Sequence, residues 1–233
     1  MFPEPTLTSR HEYGQDIPLL VWHLPAPLTA ISSATLGGGV GECHWLLNAT
    51  VPMSYHRADP ATHLTEIAAG LGLTGRGVGL LTGVDVADVV AESDDGVQLW
   101  ATVGLGAPTQ AHEPRARPPA ERPGTINVVA WVPQRLADGA LVNAVATITE
   151  AKTQALRDLG LAATGTATDA VCVLCPASGC EAPYGGPRSR WGVPLAAAAY
   201  RAVRRGGEVN LTGPRSWSER QAPAPDRSGG GQW

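Results

Sequence analysis

Residues 140–160, ALVNAVATITEAKTQALRDLG, place the tightest constraint on how this chain can fold. At 100° per residue, Leu141, Val145, Ile148, Ala155, Leu156 and Leu159 fall on one side of a helix, with Lys152 in the middle of that stripe. Asn143, Thr147, Glu150 and Gln154 form a polar line opposite, with a single charge. An ammonium on an apolar stripe either snorkels to its edge or is buried against a carboxylate. Glu150 and Asp169 are the partners in reach. A second reading competes, because the threonines of Thr147-Ile148-Thr149 weaken a regular helix. In it, LVNAVATI is a strand, Thr149 caps a helix, and Glu150 and Lys152 share the first turn. On one ideal helix those two side chains diverge by about 200°. The sequence leaves both readings open.

The rest of the chain alternates short apolar runs with turn signals. IPLLVWHL (17–24) and LTAISSATL (28–36) read as two strands joined by a turn at Pro25–Pro27. Gly37-Gly38-Gly39-Val40-Gly41 reads as a flexible loop, followed by a strand in HWLLNATV (44–51). Asp59-Pro60 opens a helix carrying Leu64, Ile67, Ala68 and Leu71. GVGLLT (77–82) is a buried strand, and two more lie within 84–104 around an Asp94-Asp95-Gly96 turn. TINVVAWV (125–132) is another; Asp138 caps the long helix and Gly160 stops it. The strand AVCVL follows, then the turn YGGPRSRWG and a last helix over about 193–205.

This pattern predicts one α+β domain over 1–213, with a mixed, largely antiparallel sheet and three or so helices packed on it. Residues 106–124, GAPTQAHEPRARPPAERPG, are expected to form a solvated loop, and 214–233 a disordered tail.

Several function classes drop out. A net charge of -4 gives no basic footprint, so nucleic acid is not an expected partner. No run approaches the roughly 20 apolar residues of a membrane span. MFPEPTLTSRHEYG lacks the charged and apolar regions of a secretory signal, so a cytoplasmic location is expected. Charged residues make up only 16%, which points to a large interior or a neutral polar cavity. Most of the seven tryptophans are expected in that interior. Cys172-x-x-Cys175 invites a metal or redox reading, but on a strand positions i and i+3 face opposite sides, so buried thiols are expected. The glycine run lacks the Gly-Lys-Ser/Thr of a phosphate loop. The six histidines show no i, i+4 metal pair, and His44 and His56 read as general bases or surface groups. No nucleophile elbow is present. Metal dependence and oligomeric state, a homo-oligomer included, stay open.

GTATD (165–169) gathers hydroxyls, backbone N–H groups and a carboxylate where a buried strand begins, as a substrate site or as a local Asx or ST turn. LVNAVATITEAKTQALRDLGLAATGTATDAVCV resembles the central signature of the adenosylcobinamide amidohydrolase family, enzymes of corrinoid salvage. WLLNATVPMSY and GVGLLTGVDV resemble that family's "N-x-x-V-x-x-x-Y" and "vGl-x-T" segments in the same order. YGGPRSRWG is similar to its C-terminal turn, departing at Ser189 and Arg190. The likeness spans about 30–205. It implies hydrolysis of the amide between aminopropanol and the corrin ring of adenosylcobinamide, giving adenosylcobyric acid, with the corrinoid as substrate and no cofactor required.

Amide hydrolysis needs a nucleophile, oxyanion stabilisation and a proton for the leaving amine. Water is the simplest nucleophile, with Glu150 as general base and a Lys152–Asp169 ion pair setting the local charge. Asn48, Thr82, Asn143, Thr147, Thr166 and Thr168 are the expected substrate contacts. A threonine nucleophile backed by Lys152 is the rival scheme. A non-catalytic corrinoid carrier and an amidase of another small amide are the alternative functions.

Overall fold

The computed structural model describes residues 2–112 and 124–213. Two tight hairpins set much of the sheet. β1 (Thr6–Glu12) turns into β2 (Gln15–Ser32) through Tyr13 and Gly14, both at positive φ. β5 (Val90–Asp94) turns into β6 (Val97–Val103) through Asp95 and Gly96, also both at positive φ. Two positive values in succession match the right-handed twist of the flanking strands, which is why Asp-Gly at 95–96 is a hairpin signal. β3 (Gly39–Thr50), β4 (Val78–Thr82), β7 (Ile126–Trp131) and β8 (Ala170–Pro176) complete the sheet. Its order is β4-β3-β2-β8-β7-β6-β5, with β1 added on β2. Only β3–β4 and β7–β8 are parallel, so the mixed, largely antiparallel sheet is as expected.

The two strands expected at 17–24 and 28–36 are one. β2 runs straight past Pro25 and Pro27, and its pairing with β3 changes register between His23 and Leu28. Prolines cannot donate to a ladder, but a register break needs no donor there, so they bend the strand without ending it. The first half of β2 pairs with β1 and the second half with β8. The glycine run is not all loop either: Gly39, Val40 and Gly41 open β3. The Arg76 guanidinium pins its start, donating to the carbonyls of Gly37, Gly38 and Glu42.

α2 (Asp138–Asp158) and α3 (Gly192–Thr212) lie side by side on one face of β5–β8, where Leu141, Ile148, Leu156, Val128 and Val173 are fully buried. α2 is unbroken, so the corner at Thr149 does not form and LVNAVATI is not a strand. The reason is tertiary: Ala144, Ile148, Ala151, Ala155 and Leu156 give it a continuous buried face. Thr149 and Thr153 turn their hydroxyls back onto the carbonyls of Val145 and Thr149, each at 2.9 Å, which accommodates them in the helix. Ala137 takes the N-cap position and Asp138 is the first helical residue. Gly160 follows the helix at positive φ, as its stop requires. α3 continues past the expected end at 205 because Gly206 and Gly207 are packing residues. A Cβ on either would strike Val103 of β6 or Leu159.

α1 (Pro60–Gly70) packs Leu64, Ile67 and Ala68 on Leu19, Val21 and Leu47. The sheet coils so that β3–β4 approaches β6–β7, enclosing Trp22, Leu46, Leu80, Trp100 and Val129. Trp22, Trp45 and Trp100 are buried and Trp131 and Trp191 half-buried; Trp217 and Trp233 lie outside the described residues. A polar bridge crosses the coil: Asn48 donates to the Thr102 hydroxyl (3.1 Å), and Asn127 donates to Asn48 (3.0 Å) and to the Leu81 carbonyl (2.9 Å). Cys172 faces this inner cluster and Cys175 the helix side, so the C-x-x-C pair is divided by the sheet. Most of the expected 106–124 loop and all of the 214–233 tail fall outside the described residues.

Candidate active site

Where β3 and β4 end and β7 and β8 begin, the coiled sheet leaves a cavity of about 320 Å³. Ala34, Val51, Pro52 and Leu80 give it apolar walls, and Ser33, Tyr55, Thr82, Thr125, Asn127 and Thr168 supply the polar groups. The hydroxyls of Thr125 and Thr168 are 2.6 Å apart, and Thr168 also donates to the Gly124 carbonyl at 3.2 Å. Asn127 is a buried carboxamide on an otherwise apolar strand, held by the bridge to Asn48.

Behind the Thr125–Thr168 pair the turn before β8 is anchored by one carboxylate. Asp169 accepts from the Ile126 N–H (2.9 Å), the Thr166 N–H (3.0 Å), the Thr166 hydroxyl (2.5 Å) and the Lys152 ammonium. Lys152 and Asp169 retain only 9% and 11% of their side-chain exposure, so the ion pair is nearly dry. Gly165 makes room for it: a Cβ there would lie inside contact distance of both Lys152 Nζ and the Asp169 carboxylate. The apolar stripe of α2 thus presses a lysine onto the end of the sheet, where Asp169 meets it.

The other expected site residues are dispersed. Thr82 and Thr168 line the cavity, and Asn48 stands behind its wall. Thr166 is bound to Asp169. Thr147 is buried and donates to the Gly185 carbonyl at 2.9 Å, tying α2 to the turn before α3. Asn143 is exposed on α2. Glu150 is exposed in a separate groove with Gln154, Pro187, Ala196 and Tyr200, and no residue of that groove lines the cavity. The unbroken helix therefore turns Glu150 away from Lys152.

Sequence reasoning passed over Ser33, Thr125, Asn127 and His63, and gave Tyr55, the tyrosine of the family-like segment WLLNATVPMSY, no role. His63 could have been found: it falls beside Leu64 and Ile67 on the apolar face of α1, where a titratable group needs a partner. It is buried, with Nδ1 3.1 Å from the Tyr55 hydroxyl and Nε2 2.8 Å from Glu12 Oε1. Among the described residues no three His, Cys, Asp or Glu side chains group as metal ligands, and no helix is long and apolar enough to cross a membrane.

A largely apolar cavity rimmed by hydroxyls and one carboxamide suits a neutral, amide-bearing ligand. The family model described as adenosylcobinamide amidohydrolase matches residues 4–213. A protein of that name from Methanosarcina mazei is 31% identical over 186 residues, covering 76% of this chain and 89% of its own. Another of that name, from Halobacterium salinarum, is 32% identical over 214 residues, covering 88% and 87%. A solved structure from Pyrococcus horikoshii aligns with 87% of this chain and 78% of its own at 10% identity and a TM-score of 0.40, too loose a likeness to argue from. The chain is a hydrolase acting on a carbon–nitrogen bond. It belongs to the adenosylcobinamide amidohydrolase family.

Proposed function

We propose that this chain hydrolyses the amide joining aminopropanol to the corrin ring of adenosylcobinamide, releasing aminopropanol and adenosylcobyric acid for reuse in cobalamin synthesis. The observation that carries this reading is the cavity bounded by Thr82, Thr125, Asn127 and Thr168, with Thr168 a member of the family-like 150–169 block whose turn Asp169 and Lys152 anchor. Drug-sized ligands fill pockets of roughly 300–1,000 Å³, and a corrinoid is larger than a drug. A cavity of about 320 Å³ therefore takes the aminopropanol arm and its amide, with the macrocycle across the mouth. The corrinoid is the substrate, and the scheme uses no cofactor.

The nucleophile in this reading is water. Lys152 is committed as a donor to Asp169, and Thr168 donates to Gly124, so neither forms a base–nucleophile pair. Asp169 is saturated by its donors and acts by fixing the turn that carries Thr166 and Thr168. In this reading Thr82, Thr125, Asn127 and Thr168 orient the amide. The test is to incubate the purified protein with adenosylcobinamide and measure free aminopropanol and adenosylcobyric acid. Both products are expected; binding without release would point to a carrier, and neither binding nor release to another amide.

A further inference from the structure

We propose that Tyr55, His63 and Glu12 form a proton relay that opens into the cavity and drives this hydrolysis, with Tyr55 the group that meets substrate and water. The inference rests on the hydrolysis reading above.

The three side chains come from β1, the segment after β3 and α1, and they run from half-exposed Glu12 through buried His63 to Tyr55 at the cavity. Arg10 Nε holds Glu12 Oε2 at 2.8 Å while Arg10 Nη2 donates to the Thr50 carbonyl at 2.9 Å, tying β1 to the end of β3 beside the cavity. Glu12 Oε1 lies 2.8 Å from His63 Nε2, within ion-pairing distance though off the line of a hydrogen bond. The other ring nitrogen, Nδ1, is 3.1 Å from the Tyr55 hydroxyl, and the two rings stack at 5.5 Å. Tyr55 itself lines the cavity. With Nε2–H directed at Glu12, Nδ1 accepts the Tyr55 proton, leaving the phenol oxygen lone pairs toward the cavity.

The charge states suit that direction. Burial pushes His63 below the usual imidazole range, and Arg57 and Arg10 push the same way against Glu12, so the ring is neutral at pH 7. Burial raises Tyr55, with Tyr13, Asp59 and Glu12 adding to it and Arg57 opposing, so the phenol keeps its proton. In the first step water attacks the amide carbon as Tyr55 takes the water proton and passes its own to His63 Nδ1. The imidazolium so formed is stabilised by Glu12. In the second the carbon–nitrogen bond breaks as His63 returns its proton through Tyr55 to the leaving amine. The carboxylic acid and free amine result, with the relay restored.

The experiment measures aminopropanol release by the full chain and by Tyr55→Phe, His63→Gln and Glu12→Gln across pH 5–9. Tyr55→Phe, which deletes one hydroxyl from a half-buried ring, is expected to lower kcat by about 10²–10⁴-fold with KM little changed. The kcat/KM of the unsubstituted chain should fall on the acid side as His63 protonates; His63→Gln should lose that limb, and Glu12→Gln should move it to lower pH. Undiminished kcat in a folded Tyr55→Phe chain, or an unmoved acid limb in folded His63→Gln, overturns the relay while the hydrolysis reading stands. No aminopropanol from the unsubstituted chain overturns that reading and the relay with it.

Discussion

Lys152 of α2 and Asp169 at the head of β8 form an ion pair across the helix–sheet interface, each about nine-tenths buried. Removing one partner leaves the other as an uncompensated buried charge. Lys152→Met is therefore expected to cost about 3–5 kcal/mol of stability. Urea unfolding checks this, and a loss under 1 kcal/mol would mean the pair is solvated.

Gly165 is the residue that leaves space for that pair. Gly165→Ala should overpack the site, costing about 1–3 kcal/mol and lowering hydrolysis through the displaced Thr166–Thr168 turn. A chain with native stability and turnover would show that the turn relaxes freely.

Glu150 faces a groove apart from the cavity. Glu150→Gln should keep near-normal turnover in the aminopropanol assay, and a loss of 10²-fold or more, the size expected of a general base, would return it to the chemistry.

Thr168→Ala removes one cavity hydroxyl. Loss of a single neutral hydrogen bond predicts about a fivefold fall in kcat/KM, since such bonds contribute about 1 kcal/mol. Complete loss of turnover in a folded chain would instead favour the threonine-nucleophile scheme.

Burial lowers His63 relative to its unfolded value of 6.5. The unfolded chain then binds the proton more readily, so this residue's contribution to stability holds above pH 6.5 and is lost as pH falls toward the folded value. Thermal midpoints of His63→Gln should decline less than those of the unsubstituted chain between pH 7 and 5, and parallel curves would exclude the effect.

Much of the framework was legible because local rules decide it. The Asp95-Gly96 hairpin, β4, β7, β8 and the Gly160 stop follow from residue type and spacing. The pairing of Lys152 with Asp169 was also foreseeable, since a cation on an apolar stripe needs a carboxylate. What was not legible depends on tertiary contact. Whether Thr147–Thr149 broke α2 turned on the sheet beneath it, and whether Pro25 and Pro27 ended β2 turned on the register of its neighbours. The cavity escaped because Ser33, Tyr55, Thr82, Thr125 and Thr168 come from five separate segments, and only the coil of the sheet brings them together. Asn127 was within reach, as a carboxamide inside the apolar run of the strand read at 125–132.

The divided pairing of β2 also sets an order on how the molecule is made. Gln15–Val21 can zip against β1 within a few residues of leaving the ribosome, and β3 follows closely. Leu28–Ser32 must wait for Cys172–Pro176, roughly 140 residues later in synthesis, before its second edge is covered. During that interval an apolar strand edge stands open in the nascent chain, where a chaperone or a neighbouring copy can reach it. Closure of the central sheet therefore cannot precede the synthesis of β8.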